Sequence, residues 1–217
     1  MRKIIPIFLL LALLFSGCLG QVPDSIKELQ AVEIRDYNGQ NLSSIADFRE
    51  NSIAGPQYVD INSYSLNIFG LAENQKEFSY EQALNRQKYS KIVTLYCVEG
   101  WNAKILWEGI LLKDLFEEVK VKPEANTVIF YAYDGYSSSL PLNYVLENNI
   151  ILAYKMNGLE LPPERGFPFQ LVAEDKWGYK WVKWITAIEL SNDPDFKGYW
   201  ESRGYNNNGD VSGPKFG

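Results

Sequence analysis

Hydrophobic positions along the chain follow two periods, and the switches between them divide it into short strands and short helices. Residues 63–71 (SYSLNIFGL) predict a strand ended by Gly70. Ser79-Tyr80-Glu81-Gln82 matches the S-x-x-Q capping box, in which the serine and glutamine side chains each satisfy a backbone amide at a helix start, so a helix is expected from Tyr80 to Asn85. Residues 91–98 (KIVTLYCV) are β-rich and apolar without alternation, which predicts a strand buried on both faces, with 103–109 (AKILWEG) as its partner. Leu112, Leu115, Phe116 and Val119 recur at i, i+3, i+4 and i+7, so 111–120 is expected as an amphipathic helix, with Pro123 beyond its end.

Residues 126–133 (NTVIFYAY) predict a further strand that stops at Asp134-Gly135-Tyr136. The serine run 137–139 and Pro141 are expected to open a helix through Leu142, Val145 and Leu146. A strand over 151–156 then turns tightly at Asn157-Gly158 into 159–161. Pro162-Pro163 breaks the chain, and 169–174 and 180–190 are the last expected strands. The Gly- and Asn-rich stretch 204–217 is expected as a surface extension. Short strands interleaved with short helices indicate an α+β domain.

The beginning of the chain has a different character. Arg2 and Lys3 precede an unbroken apolar run from Ile4 to Phe15, shorter than the about 20 residues a membrane-spanning helix needs. The run ends in Ser16-Gly17-Cys18, small residues before a cysteine, which resembles the processing site of bacterial-type lipoproteins. Residues 1–17 are therefore expected as a signal peptide and Cys18 as a lipidated new N-terminus that anchors a globular domain to a membrane. Gln21 to Ser25 is expected as a tether, followed by a hairpin around Asn38-Gly39 and a helical turn over 43–48.

Hydrophobic residues make up 46% of the chain and aromatic ones 14%, enough for one substantial core in the about 200 residues that follow the signal. The net charge is −6, about −8 without Arg2 and Lys3, and this argues against a nucleic-acid partner, which would require a basic face. The chain has no histidine, which excludes Ser-His-Asp and Cys-His catalysis and every His-ligated metal site. Two cysteines cannot build a four-cysteine zinc or iron–sulfur site. Cys97 is thus either a small buried hydrophobe or a single thiolate ligand.

The segments YSLNIFGL, FSYEQAL, LYCVEGWNAKILWEGILLKDLF, YDGYSSSLPL, ILAYKMNGLELPPERGFPFQLV, WGYKWVKWITAIEL and GYWESRGY, in that order, resemble the molybdopterin-binding oxidoreductase domain of the sulfite oxidase family from about Tyr64 to Tyr205. The resemblance implies mixed β-sheets with short helices. The expected organisation is a signal peptide over 1–17, a lipidated tether and N-terminal extension over 18–57, the oxidoreductase domain over 58–205 and a polar tail over 206–217. It also implies that Cys97, in its C-V-E-G-W context, supplies the one protein thiolate to the molybdenum of a molybdopterin cofactor, whose dithiolene brings further sulfurs. A soft thiolate suits such a centre. Lys180 and Lys183 match basic positions that hold the pterin's phosphate. Asp134 and Tyr136, with Ser138, match a loop near the metal, and Asn102 and Arg165 match positions beside the cofactor. Read by themselves, Asp134 and Asn102 are equally suited to turns and the lysines to solvent.

The sequence departs from the family where a histidine is common and Arg165 stands, and where an arginine is common and Gln170 stands. Exported members of the family usually carry a twin-arginine signal, whereas this chain has only Arg2-Lys3. The chain has six arginines, of which only Arg165 and Arg203 fall in the late motifs, so a neutral or S-oxide substrate is expected in preference to sulfite. The expectation is an exported, lipid-anchored molybdopterin oxidoreductase of the single-domain branch, acting on a small molecule with an electron-transfer partner in the cell envelope. The alternative is a cofactor-free binding lipoprotein that keeps the fold.

Overall fold

The computed structural model describes residues 23–217; the expected signal segment and Cys18 lie outside the described residues. Helix α1 (Asp24–Gln30) leads into a hairpin of β1 (Asp36–Tyr37) and β2 (Gln40–Asn41). The hairpin turns at Asn38-Gly39, both at positive φ, as that dipeptide predicts. The helical turn expected at 43–48 is an isolated turn. Ser44 Oγ accepts from Ala46 N–H and Asp47 Oδ2 from Ser44 N–H, so side chains take the amides a helix would use.

The domain proper continues with β3 (Ser65–Gly70), β4 (Lys76–Ser79), α2 (Tyr80–Leu84), β5 (Tyr89–Tyr96), β6 (Asn102–Leu111), α3 (Leu112–Val119) and β7 (Thr127–Ala132). It ends with β8 (Ser137–Pro141), α4 (Leu142–Glu147), β9 (Ile151–Met156), β10 (Leu159–Glu160), β11 (Gln170–Val172) and β12 (Ile185–Ser191). Single 3₁₀ turns lie at Pro163–Arg165, Gly178–Lys180 and Glu201–Arg203. One five-stranded sheet has the order β10-β9-β6-β5, with β11 also on β9; the other runs β4-β3-β12-β7-β8. Only β12 against β3 is parallel among these pairs. One continuous buried cluster takes Ile105, Trp107 and Ile110 from the first sheet and Leu66, Ile68, Phe130 and Ile188 from the second. The α+β reading with mixed sheets holds, and the capping box forms at α2 as expected, with Ser79 and Gln82 bonding reciprocally.

Three expectations are corrected. Strand β5 is at a sheet edge, with Val93 and Leu95 buried and Tyr96 exposed; the strand buried along most of its length is β6. The serine run forms β8 and not a helix start, because the edge of β7 takes it as a partner and the hydroxyls of Ser138 and Ser139 find acceptors in Glu201 and the Phe196 carbonyl. The last strand begins only at Ile185, since Gly178–Lys180 coils and Trp184 sits at positive φ. Residues 206–217 also differ from a plain surface extension. Asn206 and Asn207 accept from Tyr179 and Lys180, which fastens the segment to the domain.

Gly109 lies where β6 shifts register against β9, and a Cβ there would come within 2.2 Å of the Leu152 carbonyl oxygen. Gly109→Ala is expected to lower stability by about 1–3 kcal/mol in urea unfolding, because the obstacle is backbone and cannot rotate away.

Candidate active site at Cys97

Cys97 follows β5 and starts the tight loop to β6. Its N–H donates to Trp101 O at 2.9 Å, and Gly100 N–H donates to Cys97 O at 3.0 Å. Gly100 takes φ 95°, which a residue with a Cβ would resist. This geometry leaves the Cys97 side chain buried at the wall of a cavity of about 240 Å³. Trp101, Trp181, Trp184 and Trp200 also border the cavity. Burial pushes the Cys97 thiol above the usual range; hydrogen bonds from Glu99 N–H and the Asn51 amide pull the other way, while the Glu99 carboxylate adds to the rise.

The family-like D-G-Y motif forms the turn from β7 to β8. Tyr136 N–H donates to Asp134 Oδ1 at 3.0 Å and Gly135 has φ 84°, so Asp134 serves the turn while also lining the cavity. Tyr136 lines it too, its hydroxyl donating to Tyr179 O. Burial, with the nearby Glu201 charge, holds its phenol well above the ordinary range.

Arg165 and Lys183 reach the cavity wall, yet both cations are already engaged. Arg165 donates to Ile45 O and Phe48 O, each at 3.1 Å, and burial lowers its pKa to about 10. Lys183 Nζ lies 2.8 Å from Glu50 Oε1 and 4.2 Å from the Trp184 ring centre. Burial depresses its pKa and Glu50 opposes that shift.

Lys180, Ser138 and Asn102 are placed elsewhere. Lys180 turns inward and has no exposed side-chain surface. Its Nζ is 2.7 Å from Glu201 Oε1, also wholly buried, and 2.9 Å from Asn207 O. Ser138 Oγ donates to the same Glu201 oxygen at 2.5 Å. Asn102 is exposed at the start of β6, off the cavity wall. The two lysines of GYKWVK therefore point to different partners, although Gly178–Lys180 is coiled and not strand.

Sequence reasoning missed the segment 48–52. Arg49, Asn51 and Ser52 line the cavity from a stretch read as an N-terminal extension ahead of the domain. Asn51 Nδ2 is 3.9 Å from Cys97 Sγ. Ser52 Oγ is buried without a hydrogen-bond partner among the described residues. Arg49 is exposed and has no hydrogen bond or ion pair among the described residues. A polar run with no hydrophobic period gave no local signal of this placement; its one hint was Phe48, an apolar anchor ahead of four polar residues.

The model of the family described as oxidoreductase molybdopterin binding domain matches residues 53–200. The chain belongs to this family. The uncharacterized oxidoreductase YuiH of Bacillus subtilis is 33% identical over 156 residues, 71% of this chain and 78% of that protein. The putative protein-methionine-sulfoxide reductase subunit YedZ1 of Azospira oryzae is 30% identical over 148 residues, 68% of this chain and 56% of the subunit. The crystal structure of the sulfane dehydrogenase SoxCD from Paracoccus pantotrophus superposes with a TM-score of 0.63 at 20% identity, over 88% of this chain and 57% of that one, a likeness of fold.

Membership makes the protein a molybdopterin-binding oxidoreductase, and the cavity's chemistry fits that group. Among the described residues no three metal-binding side chains converge, so a metal here would take one protein sulfur and the rest from its own organic ligand. One buried thiol, an amide beside it, an unpartnered hydroxyl, nearby cations and indole rings suit a soft metal joined to an anionic, flat organic group.

The Lys180–Glu201 pair lies outside this cavity wall, so its role is tested by stability. Lys180→Met is expected to cost about 3–5 kcal/mol in denaturant unfolding by leaving Glu201 buried and unpaired. The double variant Lys180→Met/Glu201→Leu should cost less than either single change.

Proposed function

We propose that this chain moves an oxygen atom or electrons to or from a small substrate, with Cys97 as its one protein ligand to molybdenum. The observation that carries the reading is the Cys97 side chain at the cavity wall, 6% exposed, beside the Asn51 amide and within a ring of indoles. When bound, the molybdopterin group would supply the redox and oxygen-transfer chemistry. The protein's part is to hold and orient: Cys97 gives sulfur, Asn51 a hydrogen bond beside it, and Arg49 and Lys183 positive charge for anionic groups. Asp134 and Tyr136 shape the wall fixed by the β7–β8 turn. Lys180 and Ser138 act only through the wall they support, and Asn102 stands off the cavity.

A neutral or S-oxide substrate suits this cavity better than a dianion. The Arg165 guanidinium is held by backbone carbonyls and Lys183 is neutralised by Glu50, which leaves Arg49 as the cation on the wall without such a partner. The methionine-sulfoxide reductase name of one relative supports the same preference. The domain would sit at the outer face of a membrane, anchored through lipid on Cys18, and exchange electrons with an envelope partner. This part rests on the apolar run and Ser16-Gly17-Cys18.

Elemental analysis of protein isolated from its native membrane is the deciding experiment. Near one molybdenum per chain is expected, falling about tenfold or more in Cys97→Ala as the only protein donor is removed. Background metal in the unaltered protein would favour the cofactor-free binding lipoprotein instead. Cys18→Ser is expected to move the protein from the membrane to the soluble fraction on immunoblots of fractionated cells.

A further inference from the structure

The segment beyond the family match folds into a closed loop. Asn206 N–H donates to Lys215 O at 3.0 Å, Gly217 N–H donates to Gly204 O at 3.2 Å, and the Tyr205 and Phe216 rings meet at 4.9 Å. The middle of the loop is fastened to the chain ahead of the Gly178–Lys180 turn. Trp177 N–H donates to Gly209 O at 2.7 Å, Val211 N–H to Asp175 O at 2.9 Å, and Lys176 Nζ lies 2.5 Å from Asp210 Oδ1. So held, the loop sends one side chain across to the cysteine. Lys215, half-buried, lies 4.8 Å from the Trp177 ring centre and donates to Val98 O at 2.9 Å, 117 residues away in sequence.

Val98 O and Glu99 N–H belong to one planar trans peptide unit and point in opposite directions. This unit lies inside the turn that starts at Cys97, which Gly100 N–H closes onto Cys97 O at 3.0 Å. An ammonium on the carbonyl side therefore fixes the plane of this unit and, with it, the turn that presents the thiol. Val98 is half-buried and Glu99 exposed, so packing alone holds this peptide weakly. We propose that Lys215 is a positioning residue for Cys97, acting through the Val98–Glu99 peptide to hold the turn that presents the thiol. The inference rests on the reading of Cys97 as the metal ligand for its functional meaning, while the contact itself can be tested without metal.

The test compares Lys215→Met, Lys215→Arg and, as a control on an exposed lysine, Lys197→Met in the full chain. Amide exchange is followed by NMR in cofactor-free protein. Lys215→Met is expected to speed exchange at Gly100, whose N–H closes the turn onto Cys97 O, about tenfold and to move its amide resonance, with amides of β6 and β9 unchanged. Lys215→Arg should restore most of the protection, and Lys197→Met should leave Gly100 as it was. A wild-type Gly100 amide in Lys215→Met would overturn the proposal, as would a loss of protection spread equally over the loop and the core. In native protein, Lys215→Met should also lose molybdenum faster on dialysis than Lys215→Arg. If the unaltered protein carries no molybdenum, the ligand reading of Cys97 fails, and the Gly100 exchange still decides for or against the Lys215 contact.

Discussion

The lower part of the molecule is organised by one ion pair with no access to water, Lys180 with Glu201. Removing both charges from solvent is costly, and each further hydrogen bond to the pair offsets part of that cost. Here Ser138 of β8 and the Asn207 carbonyl supply two, while Glu201 Oε2 is buried without a partner among the described residues. The pair therefore binds four pieces of chain into one arrangement: a sheet edge, the Gly178–Lys180 turn, the Glu201–Arg203 turn and the C-terminal loop. The fit is close, since a Cβ on Gly209 would lie 2.6 Å from Lys180 Cγ. Gly178 and Tyr179 face the cavity because this arrangement holds their turn.

The upper wall follows a similar logic with the opposite end of the chain. Arg165 captures the carbonyls of Ile45 and Phe48, Lys183 captures Glu50, and Ser25 donates to Glu164. Behind them, buried Glu33 accepts from Ser44, Ile45 N–H and Asn157. Cations that would suit a bound anion are thus also the fasteners of the segment carrying Arg49, Asn51 and Ser52. Their charge still acts on the cavity, while their donors are largely occupied. Both walls contain residues outside the 53–200 span matched by the family.

Elements governed by local rules were legible in the sequence. The capping box at Ser79, the Asn157-Gly158 turn and the i, i+3, i+4, i+7 face of α3 each formed where the residues specify, because neighbours in sequence decide them. The ordered motifs around Cys97 carried the family, and the thiol's place on a cavity wall agrees with them. What was not legible depended on distant partners. Whether the serines of β8 begin a helix or complete a sheet is decided by the open edge of β7. Whether Lys180 faces a cavity or Glu201 is decided by a residue that follows another strand. The wall made by Arg49, Asn51 and Ser52 has no periodicity at all, and its contacts with Arg165 and Lys183, together with the Phe48 ring on Trp101 and Trp107, bring it to the cysteine.

The fasteners just described also bear on how the site assembles. They join residues 117 to 139 positions apart: Ser25 to Glu164, Ile45 to Arg165, Glu50 to Lys183 and Val98 to Lys215. Contacts across such long loops form late in folding, since the closure entropy must be overcome before they return any stabilisation. The first sheet, whose strand pairs lie nearer in sequence, can therefore be in place while β12 has yet to join β3, both ends of the chain are still undocked and the bed around Cys97 stands open. A bulky group could settle against the thiol during that interval and be enclosed as the ends close over it.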